Sequence, residues 1–156
     1  MSTEIQSPKP SASSPTSPLN PLALSVEHRA RIGWTTLRLV VAGIIAAHGW
    51  ARWWAGGVVP FGTWLDSQGW PAGLAIAVTI TALEIAGSAL LAWGRWVLPL
   101  CIAFSAIYAM GIVLVHAKAG WFVVGLGRNG AEFSVLLITC LATLALQHPP
   151  KTTESR

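Results

Sequence analysis

The chain has little charge and few residues that could carry redox chemistry. Only 10% of its 156 residues are Asp, Glu, Lys or Arg, whereas a soluble domain usually has about 25%. Its two cysteines, Cys101 and Cys140, lie in different apolar runs without a Cys-x-x-Cys motif. This placement is typical of buried, inert thiols and argues against a thiol–disulfide enzyme. The ligand patterns of haem and iron–sulfur clusters are also missing from the sequence.

Long apolar runs dominate the sequence instead. Hydrophobic residues make up 53% of the chain, and the mean hydropathy is +0.58. A run of about 20 residues can cross a hydrocarbon core roughly 30 Å thick. Continuous apolar runs predict helices, because a spanning segment must satisfy its own backbone hydrogen bonds. The sequence therefore predicts an all-α integral membrane four-helix bundle, with spans at about residues 32–54, 71–93, 96–116 and 131–147.

Polar segments flank the predicted bundle. Residues 1–24 are rich in Pro and Ser, which predicts a disordered N-terminal tail, and residues 148–156 are expected to form a short polar C-terminal tail. The first segment lacks the pattern of a cleaved signal peptide, so the first helix is expected to stay as an anchor. Lys and Arg are more frequent on the side that holds both predicted tails and the turn at Gly94–Arg95. This bias predicts that both termini are cytoplasmic.

The composition also indicates which partners to expect. The net charge is +4, but the basic residues flank the apolar runs and form no patch, so no nucleic-acid partner is expected. The lipid bilayer is the expected partner. Faces of small residues permit homo-oligomers, although such faces also serve packing within one bundle. In the first outer loop, Phe61, Trp64 and Leu65 have helical spacing, which predicts a short interfacial turn.

Two ionisable residues fall inside the first two predicted spans. Charges within a membrane are costly and usually face the interior of the bundle. At a rise of about 1.5 Å per residue, Arg38 and Glu84 reach similar depths on antiparallel helices, roughly 10 Å from one face of the core. The sequence thus predicts an intramembrane ion pair between Arg38 and Glu84 that holds the bundle together. A proton-handling role for the Glu84 carboxylate is the alternative.

A second polar group collects at the outer end of the predicted bundle. His48 and Arg52 are four residues apart and share a helix face, His116 ends the third span, and Glu132 begins the fourth. These residues are compatible with a structural hydrogen-bond network, with a metal site, or with a pocket whose donors bind a quinone carbonyl. Histidine suits the last case, because it titrates near neutral pH. No complete metal or catalytic motif is present, so no resident metal is expected.

Several motifs in these helices resemble those of the DoxX family of small four-helix bacterial membrane proteins. The resemblance extends over about residues 35–147, and Arg38, His48, Glu84, His116 and Glu132 occupy positions that match the family pattern. The segments that carry it are LRLVVAGIIAAHGWARW, ALEIAGSALLAWGRW and VLVHAKAGWF followed by GRNGAEFSVLL. The long Pro/Ser-rich N-terminus and the Trp-rich first outer loop depart from the pattern.

The resemblance implies a multi-pass protein of the bacterial inner (plasma) membrane. Some family members are linked to thiosulfate:quinone oxidoreductase, and others to membrane complexes that handle oxidative or thiol stress. The expected function is thus that of a small subunit of a quinone-linked oxidoreductase or oxidative-stress-related complex. Such a subunit would need a redox partner protein and would hold no covalent cofactor, only a quinone. The alternatives are a non-catalytic anchor or assembly factor, and a small proton-coupled transporter with Glu84 as the coupling acid.

Overall fold

The computed structural model describes residues 25–125 and 128–148. The tails predicted for residues 1–24 and 148–156 lie outside this part, apart from His148. The regular elements within it are helices. They are α1 (Val26–Trp54), α2 (Val58–Ser67), α3 (Gly73–Trp93), α4 (Val97–Ala119) and α5 (Glu132–Leu146). Two of them change locally to π-helical geometry, at Leu83–Gly87 within α3 and at Ile112–His116 within α4.

Helices α1, α3 and α4 are long and apolar enough to cross a membrane, and α5 is a shorter apolar helix. Their outer faces carry large apolar side chains that no other part of the described chain covers. Examples are Leu39, Val78, Ile102 and Leu136, whose exposed fractions are 49%, 49%, 61% and 59%. In a soluble domain such an apolar surface would promote aggregation, whereas in a membrane protein it contacts lipid. The predicted four-helix membrane bundle is confirmed.

Helix α1 begins before the predicted residue 32, at Val26, because local polar residues favour an earlier start. The hydroxyl of Ser25 accepts a hydrogen bond from the backbone N–H of His28 at 3.2 Å, which satisfies a donor at the helix N-terminus. Glu27 lies in the first turn, where a negative charge is favourable beside the helix dipole. Helix α1 therefore extends six residues before the apolar run that predicts the first span.

Helices α1 and α3 run antiparallel with a register fixed by two close contacts. A Cβ placed on Gly49 would lie 2.9 Å from the Cβ of Glu84, so these positions face each other directly. At the opposite end, a Cβ on Gly94 would lie 2.9 Å from Nη1 of Arg38. Gly94 also has φ +78°, a left-handed conformation that favours glycine and ends α3.

Large apolar side chains from the four bundle helices fill the centre. Ile45, Leu91, Phe104 and Leu141 are each 0% exposed and come from α1, α3, α4 and α5 in turn. The free thiol of Cys101 is buried within this core, and that of Cys140 packs against it. The core lies towards the end of the bundle that contains Gly94, which leaves the other end for polar groups.

Helix α2 confirms the helical turn that the spacing of Phe61, Trp64 and Leu65 predicts. Leu65 is buried, at 4% exposure, while the rings of Phe61 and Trp64 stack with their centroids 6.0 Å apart. Helix α2 is not a free surface helix, because it packs on the first turns of α3. It covers the end of the bundle opposite Gly94.

Two glycines allow α2 and α3 to approach at backbone distance. A Cβ on Gly62 would lie only 2.6 Å from the Cα of Leu74, and a Cβ on Gly73 would collide with the carbonyl oxygen of Gly62. The side chain of Asp66 then accepts a hydrogen bond from the N–H of Gly73 at 2.7 Å. The position of α2 on α3 therefore depends on small residues and one capping carboxylate.

Replacing Gly62 with alanine is expected to lower the melting temperature of the purified protein in mild detergent. The added methyl must displace backbone, and overpacking of this kind costs about 1–3 kcal/mol. Gly43→Ala is the matched control, because a Cβ at Gly43 meets no atom within 4 Å, and alanine there should be neutral or slightly stabilising. Equal melting temperatures for the two variants would contradict the close packing of α2 on α3.

Candidate functional site

The carboxylate of Glu84 is buried and paired with Arg52. Glu84 is 2% exposed and lies in the π-helical segment of α3. Segments of π-helix are rare in proteins, and those that occur are often found at functional sites. Its Oε2 accepts a hydrogen bond from Nη1 of Arg52 at 2.5 Å. The structure thus pairs Glu84 with Arg52 and not with Arg38 as predicted.

The register of α1 against α3 explains this correction. Arg38 lies beside Gly94, whereas Glu84 lies ten residues earlier in α3, about 15 Å away along the helix axis at a rise of 1.5 Å per residue. The prediction took residue 32 as level with the end of α3, whereas Arg38 itself lies level with the turn after α3. The Nε of Arg38 is buried there, and it has no hydrogen-bond partner in the part of the chain that the structure describes.

Arg52 joins three helices. Its Nη1 also donates to Oγ1 of Thr81 at 3.2 Å, and the Thr81 hydroxyl in turn donates to the carbonyl oxygen of Ala77 at 2.7 Å. The guanidinium carbon lies 4.8 Å from the centre of the Phe61 ring, within the range of a cation–π interaction. Through these contacts Arg52 of α1 is fixed to α3 and to α2.

In two histidines of the site, Nδ1 lies within hydrogen-bond distance of a backbone carbonyl oxygen. In His48 this atom lies 2.9 Å from the carbonyl oxygen of Ile44, and in His116 it lies 2.6 Å from that of Asn129. A carbonyl oxygen can only accept a hydrogen bond, so Nδ1 must be the donor in each case. In the neutral ring, Nε2 of each histidine is then an unprotonated acceptor. This assignment follows from the hydrogen-bond partners.

Two aromatic rings contact His48. Its ring meets Tyr108 edge-on at a centroid distance of 6.4 Å and stacks on Phe133 at 6.2 Å. Tyr108 is 9% exposed, and its hydroxyl has no hydrogen-bond partner among the described residues. Leaving a buried hydroxyl unpaired costs about 1–3 kcal/mol. The Tyr108 hydroxyl can act as either donor or acceptor of a hydrogen bond.

These side chains line one cavity of about 600 Å³. Helices α1, α2, α3 and α4 contribute to its walls, together with the first turn of α5. Ligand pockets typically measure about 300–1,000 Å³ and combine an apolar lining with a few convergent polar groups, as this one does. The polar lining residues include His48, Arg52, Glu84, Tyr108, His116 and Ser134, and the apolar ones include Trp64, Ile80, Met110 and Phe133.

The cavity contains three of the four predicted pocket residues. His48, Arg52 and His116 line it, but Glu132 does not. Instead, Oε1 of Glu132 accepts a hydrogen bond from the N–H of Val123 at 3.0 Å, which anchors the loop before α5. Among the described residues, no group of three or more His, Cys, Asp or Glu side chains is placed to hold a metal ion.

Tyr108 was absent from the predicted site for a geometric reason. Tyr108 and His116 are eight residues apart, which in a regular α-helix at about 100° per residue places them some 80° apart around the axis. The π-helical segment at Ile112–His116 accommodates an extra residue and reduces this offset. Both side chains therefore reach the same cavity, and nothing in the apolar sequence around them signals the π turn.

A family model described as DoxX matches residues 33–117, more than half of the 156-residue chain. The chain belongs to the DoxX family. The matched region contains His48, Arg52, Glu84, Tyr108 and His116 and ends before α5. The part of the cavity wall formed by α5 therefore lies outside the matched region of this DoxX protein. No curated protein and no solved structure matches the chain.

A double-mutant cycle should show strong coupling between Arg52 and Glu84. Removing one partner of a buried ion pair typically costs about 3–5 kcal/mol, because the other charge is left uncompensated. We therefore expect Arg52→Gln and Glu84→Gln each to lower the free energy of unfolding in detergent. The loss of unfolding free energy in the double variant should be smaller than the sum of the losses in the two single variants, by more than about 1 kcal/mol.

The same cycle with Arg38 is the control. Arg38→Gln and Glu84→Gln should be additive within about 0.5 kcal/mol, because the two sites share no contact. Coupling of Glu84 to Arg38 that equals or exceeds its coupling to Arg52 would contradict the observed pairing.

Proposed function

We propose that this DoxX protein is a small multi-pass subunit of a quinone-linked oxidoreductase system in the bacterial inner membrane, and that its cavity binds the quinone head group. The observation that carries the proposal is the cavity itself. It lies among membrane helices, its lining is mostly apolar, and it includes Tyr108, whose buried hydroxyl has no hydrogen-bond partner among the described residues. On the proposed orientation, which follows the Lys and Arg bias, both termini are cytoplasmic and the cavity lies near the outer leaflet.

The chemistry of the lining fits a quinone. A quinone head group is a flat ring with polar oxygens at opposite edges, and flat rings pack well on aromatic side chains. Tyr108 and Phe133, with the ring of His48 between them, supply such surfaces. The Tyr108 hydroxyl offers a hydrogen bond to a quinone oxygen. Apolar residues such as Ile76, Ile80 and Met110 would surround the remaining hydrocarbon.

The composition of the chain indicates which steps this subunit would perform and which a partner protein would perform. A bound quinone would supply two-electron redox chemistry, whereas the residues of this chain would bind and orient it. The sequence has no ligand pattern for haem or iron–sulfur clusters. We therefore propose that a redox protein docks on this subunit and exchanges electrons with the quinone in its cavity.

A non-catalytic anchor is the competing function, and the exposed tryptophans at the end of α1 favour it. Trp53 and Trp54 are 62% and 83% exposed and offer apolar surface to a partner or to the membrane interface. In an anchor the cavity would have no role. A proton-coupled transporter has less support, because that function requires an unpaired Glu84 and the structure pairs it with Arg52.

Protein purified from native membranes in mild detergent should retain quinone, detectable by extraction and mass spectrometry. Tyr108→Phe should raise the dissociation constant of an added decyl-benzoquinone about two- to twelvefold, the effect of one hydrogen bond of about 0.5–1.5 kcal/mol. Its melting temperature without ligand should not fall, because no hydrogen bond within the protein is lost.

Ser88→Ala is the matched control for this measurement. Ser88 also carries a buried hydroxyl, but that hydroxyl donates to the carbonyl oxygen of Ile85, and Ser88 does not line the cavity. Its removal should leave quinone affinity unchanged. Absence of retained quinone, together with no measurable binding of added quinone by folded protein, would contradict the proposal and favour the anchor.

A further inference from the structure

The two histidines bring hydrogen-bond acceptors to the cavity. Both line it, and backbone carbonyl groups hold the Nδ1 protons of both, at 2.9 Å for His48 and 2.6 Å for His116. Each neutral ring is therefore left with a lone pair on Nε2 and no further proton to donate. Two acceptors of this kind favour a ligand that brings its own hydrogen-bond donors.

The protein itself holds the cationic group that lies beside the histidines. The charge of Arg52 is balanced by Glu84, its Nη1 already donates to Glu84 and Thr81, and its guanidinium covers the Phe61 ring. The Tyr108 hydroxyl can donate or accept and so tolerates either kind of ligand. Among the uncharged side chains, the groups that select for a hydrogen-bond donor on the ligand are the two histidines.

We propose that the cavity binds the reduced, dihydroxy form of the quinone in preference to the oxidised, dicarbonyl form. This inference rests on the proposed function, since it concerns the redox form of the same ligand. A quinol carries two O–H donors, each of which can bond to a histidine Nε2. A quinone has only carbonyl oxygens at these positions, and their lone pairs would face the Nε2 lone pairs. The difference is one of binding and requires no electron transfer.

The test is a pair of titrations with one probe in two redox states. Purified full-length protein in lipid nanodiscs is titrated anaerobically with a decyl-benzoquinone and with the same compound reduced to its quinol. We expect the dissociation constant of the quinol to be at least tenfold lower. For a two-electron couple, a tenfold preference corresponds to a midpoint potential of the bound ligand about 30 mV above that of the free couple.

Two substitutions at His116 distinguish the effect of the Nε2 acceptor from that of the Nδ1 hydrogen bond. In His116→Asn, the amide nitrogen can keep the bond to the Asn129 carbonyl while the Nε2 acceptor is lost. In His116→Gln, the longer side chain can return an acceptor oxygen to about the position of Nε2. The preference for quinol should fall severalfold in His116→Asn and be better retained in His116→Gln. His48→Asn and His48→Gln provide a second, independent pair should the His116 variants misfold.

The possible outcomes distinguish the two proposals. Quinol binding at least tenfold tighter than quinone binding, with selective loss in the Asn variants, supports the inference. Equal binding of both forms, or tighter binding of the quinone, overturns the preference and leaves the quinone site intact. Binding of neither form by folded protein overturns the proposed function and this inference with it.

Discussion

A carboxylate inside a membrane bundle requires a compensating charge, and the Arg52–Glu84 ion pair meets this requirement here. Even after relaxation, burying an ion costs several kcal/mol unless its partner is well placed. Gly49 allows α1 and α3 to approach closely at the level of Glu84, and Arg52 reaches across from the next turn of α1 at 2.5 Å. Because Arg52 also covers Phe61 of α2, one ion pair positions three of the walls that enclose the cavity.

The Arg52–Glu84 ion pair also determines which polar groups in the cavity can bond to a ligand. With Arg52 and Glu84 paired, the polar lining groups that remain include the phenol of Tyr108 and the rings of His48 and His116. The π-helical segments of α3 and α4 hold Glu84 and His116, so both departures from regular α-helix occur where polar residues enter the bundle. A small apolar ring with polar edges is the ligand that such a lining accommodates best, which is why we propose a quinone.

The sequence predicts the helices well, because apolar length is a local property that needs no knowledge of packing. It also places His48, Arg52 and His116 at one end, since helical spacing and antiparallel topology are enough for that. The partner of Glu84 could not be predicted in the same way. It depends on the register of α1 against α3, which close contacts at Gly49 and Gly94 fix. Tyr108 was missed because its alignment with His116 depends on a π turn.

The most direct test of the quinone cavity is photoaffinity labelling of the native protein in membranes with an azido-quinone, followed by mass spectrometric mapping of the labelled residues. A quinone bound in the cavity should give cross-links to cavity residues of α4 and α5, between residues 106 and 116 and near Phe133, and excess unlabelled quinone should suppress them. Cross-links confined to outward-facing residues such as Ile102 and Leu136, which are 61% and 59% exposed, and unaffected by competitor would contradict quinone binding in the cavity.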